Sequence, residues 1–139
     1  MVIKFRYKKG ESKIFPDVYR PVADVNLWSS QREKWICVSM YIDSGADITL
    51  IPKSIGELLG FEFNKSEIAE LNGVGGGMVA VIIKKVPIRI EDHEFEVKVA
   101  WSMIEDVPCL MGQEGIFDRF DIKFKKKDKI IEFEPLSES

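Results

Sequence analysis

Apolar and polar residues alternate along most of this chain, in short runs with a period of two. Trp35 to Ile42 is the cleanest case, with Ile36, Val38, Met40 and Ile42 on one face. Arg20-Pro21 opens another run, in which Ala23, Val25 and Leu27 oppose Val22, Asp24 and Asn26. The polar stretch 28–34 between them predicts a loop, so the two runs form a β-hairpin. Met78 to Ile83 is β-branched and strand-like. Val86 to Ile90 and Phe95 to Trp101 flank a turn at 91–94, and Val107 to Gly112 is a short apolar strand ending in glycine. Phe120–Phe124 and Lys129–Phe133 make a last hairpin around 125–128. Helical spacing is confined to two places. Ile55, Leu58 and Leu59 precede a capping Gly60, and residues 113–119 read as a brief helix with Ile116 and Phe117 inward. At the start, residues 2–7 alternate weakly, 8–12 read as a turn, and 14–19 form a short run broken by Pro16. Many short strands with one or two small helices predict an all-β fold, a closed or orthogonally folded sheet.

The length of 139 residues fits one domain with a real core. Charges of both signs are interspersed and sum to -3. The only basic run, Lys125-Lys126-Lys127, is followed by Asp128 and reads as a solvated turn, so no nucleic-acid partner is expected. Cys37 and Cys109 both sit in apolar runs and read as buried free thiols, without a disulfide framework or zinc spacing. His93 is the sole histidine and lies in a turn, which excludes a histidine-dependent triad and a multi-histidine metal site. The N-terminus lacks a signal-peptide pattern, and no apolar stretch approaches the roughly 20 residues that cross a bilayer. The expectation is a soluble cytoplasmic protein with no membrane partner.

Two stretches carry chemistry. In Tyr41-Ile42-Asp43-Ser44-Gly45-Ala46-Asp47-Ile48-Thr49-Leu50-Ile51-Pro52, apolar runs enclose a short polar knot. An acid at the end of an apolar strand is unusual, because an ionised carboxylate is costly to bury without partners. The placement suggests a carboxyl held for chemistry; the plainer alternative is a turn-forming Asx cap beside Gly45. Ser44 has no histidine near it and does not read as a nucleophile. The second stretch is Asn72-Gly73-Val74-Gly75-Gly76-Gly77. A phosphate-binding loop needs a helix after it, whereas a β-branched run follows here. A β-hairpin tip fits better, its glycines easing rearrangement and close approach to a ligand.

The order Asp-Ser-Gly-Ala between apolar flanks resembles the active-site loop of aspartic proteases, and most closely the single-domain, retroviral-type (retropepsin-like) branch. Gly73-Val74-Gly75-Gly76 resembles the flap tip of that family, about thirty residues after the acid. Leu110-Met111-Gly112 is similar to the apolar-apolar-glycine element that crosses behind its active-site loop. The resemblance spans roughly residues 20 to 133. It implies a β-barrel of the acid protease type with one lobe per chain. It further implies a division into an N-terminal extension (1–19) of open role, a protease domain (20–134) and a C-terminal tail (135–139). Asp43 is implied as the catalytic acid, with Ser44 bonding across to its partner loop and Gly45 letting substrate backbone approach. Ala46 and Asp47 are implied to bind substrate main chain, and Gly73, Val74, Gly75, Gly76 and Gly77 to close over a peptide. Retroviral members place Arg directly after the glycine of the third motif, paired with the residue matching Asp47. Here that position is Gln113, which leaves open how that contact is made.

This chemistry needs two carboxyls sharing one proton, one ionised to activate water and one protonated toward the scissile carbonyl. Close carboxylates do not both ionise cheaply, and aspartic proteases are the standing example of the resulting split titration. No other aspartate here precedes Ser/Thr-Gly, and the chain is too short for a second lobe. The expectation is a homodimer that brings two Asp43 residues together to cleave a peptide or protein substrate, with no cofactor and no metal. Two alternatives compete. One is a peptide-binding or interaction module on the same fold with little or no turnover. The other is a carboxylate-dependent glycosidase, which nothing in the sequence favours.

Overall fold

The computed structural model describes residues 1–72 and 77–137. Twelve strands are found among these residues. They are β1 (Ile3–Arg6), β2 (Lys8–Gly10), β3 (Val18–Arg20), β4 (Val22–Ser29), β5 (Lys34–Ile42), β6 (Thr49–Ile51), β7 (Ile68–Asn72), β8 (Met78–Ile90), β9 (His93–Ser102), β10 (Leu110–Met111), β11 (Phe120–Lys125) and β12 (Ile130–Pro135). One α-helix, α1 (Lys53–Leu59), follows β6.

Six strands close into a barrel in the order β4-β5-β10-β6-β9-β8, and β8 pairs back to β4. Closure leaves no open edge within the ring. Most neighbours are antiparallel; β10 runs parallel to β5, and β6 parallel to β9. β7 pairs with the first part of β8, outside the ring. The interior is lined as strand alternation dictates: Val38, Met40 and Ile42 of β5 are buried, with Val25 and Leu27 of β4, Ile82, Ile88 and Ile90 of β8 and Trp101 of β9. Each such side chain contributes roughly 1.5–3 kcal/mol through burial. α1 packs against β9, where the Trp101 indole N–H donates to the Lys53 carbonyl at 3.0 Å. Gly60 ends the helix in the left-handed region, at φ 89°. At the helix start, Glu105 accepts hydrogen bonds from the Ser54 hydroxyl and amide, which hold its carboxyl below the usual range. No helix among the described residues is long and apolar enough to cross a membrane.

A second sheet has the order β1-β12-β11, all antiparallel. Phe133 is its buried centre, edge-on to Phe5 at 5.2 Å and to Phe120 at 5.6 Å. A third, two-stranded sheet pairs β2 with β3. It is tied to the barrel by Lys8, whose ammonium lies 2.6 Å from Asp24 of β4 and 3.1 Å from the Ser39 hydroxyl of β5. Hydrogen bonds from Lys8 and then Ser39 lower the Asp24 pKa.

Several expectations need correction. Residues 113–119 form successive turns, not a helix: Gly115 sits at φ 75°, and the amides of Ile116 and Phe117 both reach the single carbonyl of Gln113. Residues 8–10 are a strand and not part of a turn, because Val18–Arg20 supplies a partner across the loop. The runs 78–83 and 86–90 are one strand; Lys84 and Lys85 stay extended because β9 pairs without a break from Val81 to Ile90. Cys37 is exposed, facing away from the barrel between half-buried Ile36 and buried Val38, and Cys109 is half-buried; both are free. Burial first, and then nearby Glu105, raises the Cys109 pKa. His93 is half-buried, edge-on to Phe120 at 5.6 Å.

Candidate active site

β5 carries Asp43 to its place. Strand alternation turns Ile42 inward and puts Asp43 on the same side as exposed Tyr41. Three main-chain bonds fix this end of the strand. The Tyr41 amide donates to the Cys109 carbonyl at 3.0 Å, Ile42 to Pro21 at 2.8 Å, and Asp43 to Met111 at 3.0 Å. Asp43 is half-buried. Its Oδ1 accepts from the Gly45 amide at 2.9 Å, and its carbonyl accepts from the Ala46 amide at 3.1 Å. Among the described residues Oδ2 accepts no hydrogen bond. Asp43 thus has one oxygen held by its own turn and one without a hydrogen bond among the described residues. The Asx turn and the site chemistry are compatible in one residue, since the turn uses a single oxygen.

The strand β10 is wedged between the two arms of this loop. Leu110 stands opposite Tyr41 on one side and Leu50 on the other, and Met111 opposite Ile42. Beyond it, Gln113 donates from its amide to the Ala46 carbonyl, and Glu114 to the Asp47 carbonyl, both at 2.9 Å. The Gly112 amide donates to the buried Thr49 hydroxyl at 3.1 Å. A Cβ on Gly112 would lie 2.4 Å from the Ile48 carbonyl carbon, so only glycine lets the two backbones meet here. The Gln113 side-chain amide donates to the Ser44 carbonyl. Residues 43–49 are therefore braced from behind by 111–114, through hydrogen bonds at Asp43, Ser44, Ala46, Asp47 and Thr49.

The groove in front of Asp43 is lined by Tyr41, Ile42, Pro108 and Leu110, with Arg20, Pro21 and Glu11 on the N-terminal side. Beside the Asp43 carboxyl the groove is therefore apolar on the side of Tyr41, Ile42, Pro108 and Leu110 and charged on the side of Arg20 and Glu11.

The sequence reading brought Asp43, Ser44, Gly45, Ala46 and Asp47 forward, and these form one tight loop with Ser44, Gly45 and Asp47 exposed. Gly73, Val74, Gly75 and Gly76 lie outside the described residues. Gly77 is exposed, with nothing within 4 Å of where its Cβ would be. Three contributors went unnamed as site residues: Thr49, the Gln113 side chain, and the wall of Tyr41 and Pro108. Thr49 had a signal, a hydroxyl inside the apolar run Ile48–Ile51, which demands a buried partner.

By sequence alone the chain matches no protein-family model and no curated protein. By structure it is similar to a retropepsin-like aspartic protease from Rickettsia conorii, at a TM-score of 0.62 and 14% identity, over 95% of this chain and 98% of that one. It is similar to EIAV protease complexed with the inhibitor HBY-793, at a TM-score of 0.55 and 19% identity, over 71% of this chain and 86% of that one. The retroviral protease-like domain of Ddi1 from Leishmania major aligns at a TM-score of 0.52 and 15% identity, over 85% of this chain and 96% of that one.

The fold is retropepsin-like.

Within that retropepsin-like fold, Leu110-Met111-Gly112 lies directly behind the aspartyl loop, as the sequence motif implied. Gln113 makes its side-chain bond within the chain, to Ser44, and its backbone bond to Ala46. The Asp47 carboxyl makes no hydrogen bond or ion pair among the described residues.

Proposed function

We propose that this chain is an aspartic endopeptidase that works as a homodimer, with Asp43 of each chain meeting across a twofold axis. The observation that carries the reading is the half-buried Asp43: one carboxylate oxygen held by Gly45, the other without a hydrogen bond among the described residues, at a groove with one apolar wall of Tyr41, Pro108 and Leu110. Two such carboxyls in contact share one proton. The ionised one removes a proton from water as that water attacks the scissile carbonyl. The protonated one donates to the carbonyl oxygen, which becomes the hydroxyl of a tetrahedral diol. Proton return to the amide nitrogen then breaks the C–N bond.

Ser44 lies exposed beside Asp43, and its hydroxyl would bond across to the partner loop. The exposed Asp47, whose carboxyl bonds nothing among the described residues, would bind substrate main chain beside Ala46. Substrate would lie extended, pairing by main chain, with Tyr41, Pro108 and Leu110 selecting apolar side chains. The antiparallel arms β7 and β8 lead into and out of residues 73–77, the segment we assign as the flap that closes over the peptide.

The test is digestion of a mixed peptide library at acid and neutral pH by the wild-type chain and by Asp43→Asn. Loss of cleavage by at least about a thousandfold, with thermal stability and dimer mass retained, is the expected result. Cleavage by Asp43→Asn at the wild-type rate would end the proposal.

A further inference from the structure

A cleft separate from the Asp43 groove lies where the N-terminal hairpin meets the last one. Phe15, Pro16 and Tyr19 form one wall, and Lys126, Lys127 and Lys129 the other, around a volume of about 930 Å³. In sequence the lysine run reads as a solvated turn. In the fold it faces aromatic residues 107 or more positions away. Of the neighbouring charges, Lys125 lies 3.7 Å from Glu132 and Asp17 on the rim lies 3.1 Å from Lys9, while Asp128 has no ion pair among the described residues and does not line the cleft. Among the described residues, neither Lys126 nor Lys127 pairs with a carboxylate. Lys129 stands over the Tyr19 ring, 4.8 Å from its centroid. Lys129 also holds φ 57°, a left-handed conformation more easily taken by glycine or asparagine. Phe15 is 62% exposed at the same cleft. A concave site thus combines three cations with uncovered aromatic surface.

We propose that this cleft binds an acidic peptide segment, its carboxylates meeting Lys126 and Lys127 and an apolar side chain covering Phe15. The charge distribution argues for a short acidic peptide over a nucleic acid. Residues 21–119 hold 16 acidic and nine basic side chains, so a long polyanion would be repelled once it left the cleft. The same hairpin also reaches the Asp43 groove, through Glu11 and Arg20. On the peptidase reading, which this extension rests on, the cleft holds an acidic segment of the substrate outside the bond that is cut.

The experiment uses the full chain carrying Asp43→Ala, so that nothing is consumed. Fluorescence anisotropy follows a labelled peptide of alternating Glu and Leu, and a control in which every Glu is Lys. The Glu peptide should bind and the Lys peptide should not. Lys126→Glu with Lys127→Glu should weaken binding by at least about tenfold, and the milder pair Lys126→Gln with Lys127→Gln by a smaller factor. Raising salt from about 50 to about 300 mM should weaken it several-fold. Equal binding by the charge-reversed and unreversed proteins would overturn the proposal. So would tighter lysine-dependent binding of a single-stranded oligonucleotide. Because Asp43 is already replaced, this result stands or falls separately from the test of cleavage.

Discussion

Two glycine-bearing regions, the loop 43–49 with Gly112 behind it and the β7–β8 ribbon with Gly77, are built in opposite ways. The loop 43–49 is closed by short backbone bonds to 111–114, and Gly112 presses against the main chain of Ile48. The ribbon of β7 and β8 extends beyond the barrel, β7 bonded on one edge alone among the described residues, with Ile68 and Met78 exposed and open space where a Cβ on Gly77 would lie. In the first region glycine serves contact, and in the second it serves freedom from contact. On the peptidase reading proposed above, the braced loop would hold the acid and the ribbon would supply an adaptable surface.

That contrast can be broken by substitution. Gly112→Ala is expected to have the largest effect, about 3 kcal/mol of lost stability, because its Cβ meets backbone and not a side chain that could turn away. Denaturant unfolding measures it, and a change under about 0.5 kcal/mol would show the two backbones to be further apart. Thr49→Val follows, at about 1–3 kcal/mol, since it keeps the volume but leaves the buried Gly112 amide without an acceptor. Gln113→Ala should cost under about 1 kcal/mol, as the side chain is exposed, yet lower kcat by more than it raises KM if Ser44 is positioned through it. Gly77→Ala should be smallest, within about 0.5 kcal/mol, measured in the same unfolding series. Equal costs at residues 77 and 112 would erase the distinction.

The loop was legible in the sequence because its causes are local. Alternation along Ile36–Ile42 fixes which face is buried and so delivers Asp43, and the Asp-Ser-Gly order sets the turn. The brace behind it was legible only as a motif, Leu110-Met111-Gly112. The contact that requires Gly112 is with Ile48, more than sixty residues earlier, and no local signal encodes it. Non-local pairing also explains the misread elements. Lys84 and Lys85 look like a break in a strand, yet β9 holds them extended, opposite Val99 and Lys98. Lys8–Gly10 looks like a turn until Val18–Arg20 is placed beside it. Residues 113–119 carry helical spacing, but their amides are drawn to Ala46, Asp47 and one shared carbonyl. The exposure of Cys37 follows from the same alternation that buries Val38: in a strand covered on one side, an apolar run does not place every member inside.

The central claim is that two chains build one site from two Asp43 carboxyls. Calorimetric titration with a transition-state-like aspartic-protease inhibitor tests it most directly. The account predicts saturation at one inhibitor per two chains, and loss of that binding in Asp43→Asn. Saturation at one inhibitor per chain, or unchanged binding in the variant, would contradict it.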